Sequence, residues 1–413
     1  MLSKLCIGIA LVGFGTSACS NDETGSRMAS LHSGDGSRAA LLVAGLEDGA
    51  LKDRLQACVG APLQTTNFSI GHRGAPLGYA EHTAEGYAAA AEMGAGYIEC
   101  DVTFTADQQL VCRHSQCDLH TTTNILATPL AEKCSIPPDL GSATPYSSVR
   151  CCASDITLAE FKTLEGRMDA GNERAGTVEE YLSALPSDRT ELVASTGTLL
   201  SHSESIELFK TLDVNMIPEL KEALVPLPFG DNYTQSDYAQ AIVNEYISAG
   251  VEPQNVVLQS FDLNDLLYWL EQAPEFGRNA TWLDGRYRDA GFDIRNKSSW
   301  SPSMQELRDM GVTKISPPLW MLLALDENDE LVASEYANAA SEAGLSIIPW
   351  TLERSGPLAG GGGWYYQTVS SQIQSDSDLL RVIEVLANDV GVSAVFSDWP
   401  ATSTFYANCS ALE

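Results

Sequence analysis

Apolar and polar positions along the chain follow two periods. Short apolar runs that end on polar clusters predict strands, and longer stretches with apolar residues three and four apart predict helices. Phe68 to Arg73 reads as strand one, the Ala-rich Thr83 to Met93 as a helix ended by Gly94, and Tyr97 to Val102 as strand two. Asn215 to Lys221, Asn255 to Ser260, Ala280 to Leu283, Thr313 to Ser316, Leu345 to Trp350 and Ala394 to Ser397 predict strands three to eight. Helical spacing lies between them over Ser236 to Ser248, Asp262 to Gln272, Met304 to Met310, Ser334 to Ala343 and Ser377 to Asn388. Strands and helices in that alternation predict an α/β fold, a TIM (β/α)8 barrel of eight parallel strands.

Some stretches break the alternation. The connection from Val102 to Leu110 is too short for a crossover helix, so Leu110 to His114 is expected to fold back as an antiparallel arm and not as a barrel strand. Residues 115–212 are long and irregular, with helices expected at Thr157 to Leu164 and His202 to Leu212, and read as an insertion after strand two lying over the active face. Ala39 to Val59 predicts one helix packed on the barrel, and Asn21 to Arg38 a flexible tether. Leu358 to Tyr366 holds four consecutive glycines. No helix start follows them directly, so this is no phosphate cradle but a flap carrying Trp364 and Tyr365.

At the start, Lys4, the apolar run Leu5 to Phe14 and the small residues before Cys19 have the form of a secretory signal. Cys19 has the setting of a lipoprotein acceptor, with Thr16 where such sites usually carry Leu, so lipidation and simple cleavage both stay open. The expected organisation is a signal over 1–19, a tether and helix over 20–60, and a barrel over 61–413. An exported protein is expected, whether periplasmic, anchored as a lipoprotein or secreted. Eight cysteines follow Cys19, and six of them lie between Cys100 and Cys152. Disulfides are expected there to pin the insertion, with adjacent Cys151 and Cys152 taking different partners and Cys58 joining Cys409 across the chain ends. The 55 acidic and 24 basic residues leave a net charge of −31, which disfavours nucleic acid and anionic membranes as partners.

The chemistry gathers between Ile70 and Asn124, where four of the six histidines fall: His72, His82, His114 and His120. Glu99 and Asp101 stand two apart on a strand and share a face, with Cys100 on the other. Adjacent carboxylates repel unless a cation sits between them, and a hard divalent ion is the simplest such cation.

These residues resemble the glycerophosphodiester phosphodiesterases, whose pattern is His-Arg-Gly-Ala, Pro-Glu-Asn/His-Thr, Glu-x-Asp-Val, Thr-Lys-Asp-Gly and Val-x-x-His-Asp. Here they read His72-Arg73-Gly74-Ala75, Ala80-Glu81-His82-Thr83, Glu99-Cys100-Asp101-Val102, Thr105-Ala106-Asp107-Gln108 and Val111-Cys112-Arg113-His114-Ser115. The departures are Ala80 for Pro, Gln108 for Gly and Ser115 for Asp, with His120 where the family often has Arg.

The resemblance implies that His72 and His114 are the catalytic acid–base pair. It also implies that Arg73 and Lys221 face the phosphate, and that Glu219 of Glu219-Leu220-Lys221 joins Glu99 and Asp101 on Ca²⁺ or Mg²⁺. A barrel-interior Glu219–Lys221 ion pair is the alternative for that motif. Glu81, Gln259 and Trp350 match family positions near the substrate, although Glu81 also fits a helix cap and Trp350 a plug for the barrel mouth; Asp398 matches a closing motif and is expected to be structural. The implied reaction is attack of a glycerol hydroxyl to give a cyclic phosphate that water then opens, releasing sn-glycerol 3-phosphate and an alcohol. Two rivals are a phospholipase-D-type enzyme acting on lysophospholipids and a catalytically inactive barrel used as a surface binding protein. Retention of both histidines and all three carboxylates argues against the second.

Overall fold

A computed structural model describes residues 38–187, 189 and 192–412. The signal, Cys19 and the tether through residue 37 lie outside the described residues. The described chain closes the predicted barrel. Its strands run in chain order as Thr66–Gly71, then Ala95–Ile98 continued by Asp101–Phe104, then Asn215–Met216 continued by Glu219–Leu220. Gln259–Ser260, Thr281–Leu283, Lys314–Ser316, Ser346–Ile347 and Val395–Ser397 complete the eight. Each is parallel to the next, and strand eight pairs with strand one through Ser69↔Val395 and Ile70↔Phe396. Strands seven and eight are joined by Phe396 N–H to Pro349 O at 3.1 Å and by the Leu352↔Ser397 bridge.

Period-two alternation sets what the strands deliver. Ile70, Ile217, Val257, Ile348, Ala394 and Phe396 form a separate buried apolar cluster, with Tyr97 and Trp350 packed against it, and so plug the barrel interior. Two residues further along each strand the side chain points the same way, one layer nearer the C-terminal mouth. Those positions are His72, Glu99, Glu219, Gln259, Trp350 and Asp398. The opposite faces, including Val102, Leu220, Leu258, Ile315 and Ile347, pack against the surrounding helices in the main core. Several of those helices start on full capping boxes, such as Thr234 with Asp237 and Ser303 with Glu306.

Leu110–Cys112 pairs antiparallel with Asp101–Phe104, as its short connection requires. Gln108 in the turn takes φ +57°, a conformation that glycine adopts at least cost. The helix expected over 39–59 is instead two, Arg38–Ala44 and Ala50–Gln56. The break follows Gly45, where a Cβ would sit 2.2 Å from Ser377 Oγ, so the first helix ends in contact with a neighbour no side chain could share.

The segment between the hairpin and strand three has its own buried cluster, including Leu119, Ile125, Tyr146, Ile156, Phe161 and Tyr181. Disulfides Cys117–Cys152 and Cys134–Cys151 tie it, so the adjacent cysteines do take different partners; Cys100–Cys112 crosses the hairpin and Cys58–Cys409 links the chain ends. The helix expected at 157–164 is shorter, Leu158–Phe161, because Glu165–Arg167 turns into a small sheet with Thr196–Thr198. The segment reaches the C-terminal face of the barrel, where Val193 and Ala194 both donate to Gly78 O. Among the described residues no helix is long and apolar enough to cross a membrane.

Candidate active site

His72 ends strand one and turns the chain through Arg73 (φ +58°) and Gly74 (φ +95°). A Cβ on Gly74 would lie 2.9 Å from the Gly86 backbone carbon, so the turn fits tightly on the helix that follows. The turn aims the Arg73 N–H at Glu99 Oε2 (2.9 Å), which fixes one metal-type carboxylate from the backbone. His72 Nδ1 is 2.6 Å from Asp398 Oδ1 at the end of strand eight. Asp398 is therefore no remote structural residue: it holds the imidazole. Burial pushes His72 down to about 4 against the pull of Asp398, so at neutral pH the ring is uncharged. Donation from Nδ1 to Asp398 leaves the Nε2 lone pair free.

Glu99, Asp101 and Glu219 each offer an oxygen within 4.8 Å of the others. Burial first, then Asp101 and Glu219, push Glu99 well above the ordinary carboxylate range, and burial raises Glu219 to about 7 with Lys221 opposing. Against the upward push of burial, Lys221 and His82 hold Asp101 well below its ordinary value. Asp101 Oδ1 is buried without any hydrogen-bond partner. A crowded all-oxygen set with an orphaned oxygen fits a hard divalent cation. Lys221 Nζ lies 2.6 Å from Glu219 Oε1, so the ion pair and a place on the cleft wall are both realised.

His114 follows the hairpin strand. The Arg113 N–H donates to Asp101 O at 2.7 Å, which seats His114 beside the carboxylates. Burial, then the nearby Arg73 and Lys221, hold the His114 imidazole well below its ordinary value. A cleft of about 750 Å³ is lined by His72, Arg73, Glu99, His114, Glu219, Lys221 and Trp350 among others, so it gathers most of the expected residues.

Three expected residues stand behind that wall. Asp101 is sealed, with His82 Nε2 at 2.9 Å from its Oδ2 and Tyr87 OH on the far side of the ring. Gln259 Nε2 donates to Glu99 Oε1 (2.7 Å) and reaches no cleft surface. Glu81 is buried among three guanidiniums, Arg73 (2.9 Å), Arg189 (2.8 Å) and Arg354 (2.6 Å), which hold it well below its ordinary range despite burial. Its carboxylate is thus engaged by arginines behind the cleft wall, and Thr83, not Glu81, caps the next helix.

Trp350 donates from Nε1 to Ser316 O (2.9 Å) and stacks on Trp364 with ring centres 5.8 Å apart. Positive φ at Gly361, Gly362 and Gly363 turns the chain so that Trp364 and Tyr365 reach it. With Phe261 and Tyr287 these rings form an aromatic wall to the cleft.

Sequence reasoning missed Arg189 and Arg354 and undervalued Asp398 and His82. Arg189 sits in irregular sequence with no signal. Asp398 had one: it lies two residues beyond the inward Phe396.

A family model for the glycerophosphoryl diester phosphodiesterase family matches residues 72–402. An extracellular protein of Arthroderma benhamiae is 42% identical over 246 residues, covering 59% of this chain and 99% of that one. A glycerophosphodiester phosphodiesterase of Haemophilus influenzae is 21% identical over 366 residues, 82% of this chain and 89% of its own. Among solved structures, a candidate glycerophosphoryl diester phosphodiesterase from Silicibacter pomeroyi superposes with a TM-score of 0.55 at 20% identity, covering 87% of this chain and 98% of that one. That likeness bears on the fold.

Proposed function

The chain belongs to the glycerophosphoryl diester phosphodiesterase family, and from that premise we propose that it is an exported enzyme hydrolysing glycerophosphodiesters to sn-glycerol 3-phosphate and an alcohol. The observation that carries the reading is a cleft lined by His72, His114, Glu99 and Glu219, with Asp101 buried directly behind the two carboxylates and within 4.8 Å of them. His72, oriented through Nδ1, takes the proton from the substrate hydroxyl that attacks phosphorus. Arg73 and Lys221, both on the cleft wall, hold the phosphate oxygens. The arriving phosphate anion raises the proton affinity of His114, which then protonates the departing alkoxide. The same two rings exchange roles when water opens the cyclic phosphate. Glu99, Asp101 and Glu219 would hold a Ca²⁺ or Mg²⁺ ion, which supplies charge stabilisation to the phosphoryl group.

Hydrolysis of glycerophosphocholine and of a lysophospholipid, measured side by side with and without chelator, tests the reading. Turnover of the first, abolished by chelation and restored by calcium or magnesium, is expected. Preference for the lysophospholipid would favour the phospholipase-D-type rival, and full activity after exhaustive chelation would remove the metal.

The carboxylates also set a pH dependence. Glu99 and Glu219 are raised, so below about pH 7 at least one of them carries a proton that an ion must displace. Metal affinity is therefore expected to weaken as pH falls through 7 towards 5. Calorimetry in buffers of different ionisation enthalpy should record proton release on binding near pH 6.5. Binding with no proton release would place the ion elsewhere.

A further inference from the structure

The insertion reaches into the catalytic machinery through one side chain. The Arg189 side chain is 4% exposed and lies far in sequence from every motif of the site. One of its amino groups donates to Asp398 Oδ2 at 3.2 Å and the other to Glu81 Oε1 at 2.8 Å. Arg354, from the loop after strand seven, makes the same bridge, Nε to Asp398 Oδ2 at 3.0 Å and an amino group to Glu81 Oε1 at 2.6 Å. Its loop is anchored next door, where buried Glu353 accepts from Ser397 Oγ (2.6 Å) and the Trp399 N–H (2.9 Å). Two planar forks thus span the same pair of carboxylates, and Asp398 passes the constraint to His72 Nδ1. We propose that Arg189 and Arg354 form a double guanidinium clamp that positions Asp398, and through it His72, so that the insertion is a required part of the active site.

Glu81 and Asp398 are both buried, and carboxylates taken out of water need cations within hydrogen-bond reach to stay ionised. With Arg189 and Arg354 the pair is fully ionised and each carboxylate is fixed from more than one direction. A lysine at 189 could reach one carboxylate but not span both. The inference rests on the proposed phosphodiesterase reading for its kinetic test, and has a second test that does not.

Arg189→Ala is expected to lower kcat by ~10²-fold, the cost of a misplaced catalytic group, with KM and Ca²⁺ affinity nearly unchanged. Arg189→Lys should restore little, and added guanidinium should restore several-fold. The control is Arg167→Ala. Arg167 is a buried arginine of the insertion whose guanidinium, among the described residues, donates to backbone carbonyls of Thr121, Ala170, Leu182 and Ala184. That variant is expected to destabilise the insertion and keep kcat. In ¹⁵N-histidine-labelled protein, the downfield Nδ1–H signal of His72, assigned with His72→Gln, should persist in Arg167→Ala and be lost in Arg189→Ala. Equal kcat losses in the two arginine variants, or an Arg189→Ala protein that keeps the signal, would overturn the clamp. If the wild type cleaves no glycerophosphodiester the functional reading falls, and the histidine signal alone decides the clamp.

Discussion

Asp101→Asn is expected to leave a folded protein that binds calcium or magnesium at least ~10²-fold more weakly and turns over ~10³-fold more slowly. The substitution keeps volume and one oxygen. That oxygen can still accept from His82 Nε2, which lies 2.9 Å from Asp101 in the native protein. What disappears is the second oxygen, Oδ1, buried and without a partner, together with a negative charge that Lys221 and His82 keep ionised. A hard cation draws most of its binding from such anionic oxygens. Its electrostatic contribution to phosphoryl transfer is several kcal/mol, which sets the size of the rate loss. Calorimetric titration with each ion, alongside the thermal midpoint, separates loss of the ion from loss of the fold. Unchanged affinity in a folded variant would take the ion away from these three carboxylates.

His114→Ala and His72→Ala are each expected to cost ~10²–10⁴-fold in kcat, the usual contribution of one general acid or base. Metal affinity should hold, because the carboxylates and not these imidazoles form the oxygen set. The thermal midpoint must be read with the rate, since a histidine that merely packs would also lower activity by unfolding the protein. His82→Ala offers the contrast. Its ring is buried between Asp101 and Tyr87, so its loss should appear as ~10–100-fold weaker metal binding before it appears in the chemistry. A folded His114→Ala enzyme with near-normal turnover would remove that residue from the mechanism, and parallel loss of metal would make it a ligand.

The barrel was legible because its strands carry apolar runs whose inward members, such as Ile70, Ile217 and Val257, are spaced two residues before polar ones. The short connection before Leu110 likewise foretold the antiparallel arm. The site residues near strand ends follow from the same period, Asp398 among them, two residues beyond the inward Phe396. What the period cannot reach is a side chain delivered from irregular backbone. Arg189 and Arg354 act at strand ends to which they do not belong, and only the folding of the insertion and the loop after strand seven brings them there. The split of the first helical region was hidden for a related reason, because Gly45 is dictated by a contact with Ser377 more than three hundred residues away.

The cystine across the hairpin bears on when the molecule becomes competent. Cys100 lies between Glu99 and Asp101, and Cys112 lies two residues before His114. A bond closing so short a loop removes only about 3 kcal/mol of unfolded-chain freedom, little for a barrel of this size. Its larger effect is registration: it locks the carboxylate strand to the arm that carries the histidine. Without the bond, that register rests on the antiparallel pairing of Asp101–Phe104 with Leu110–Cys112 alone. The centre of the site is in this way braced by a bond whose presence depends on the redox state of its surroundings.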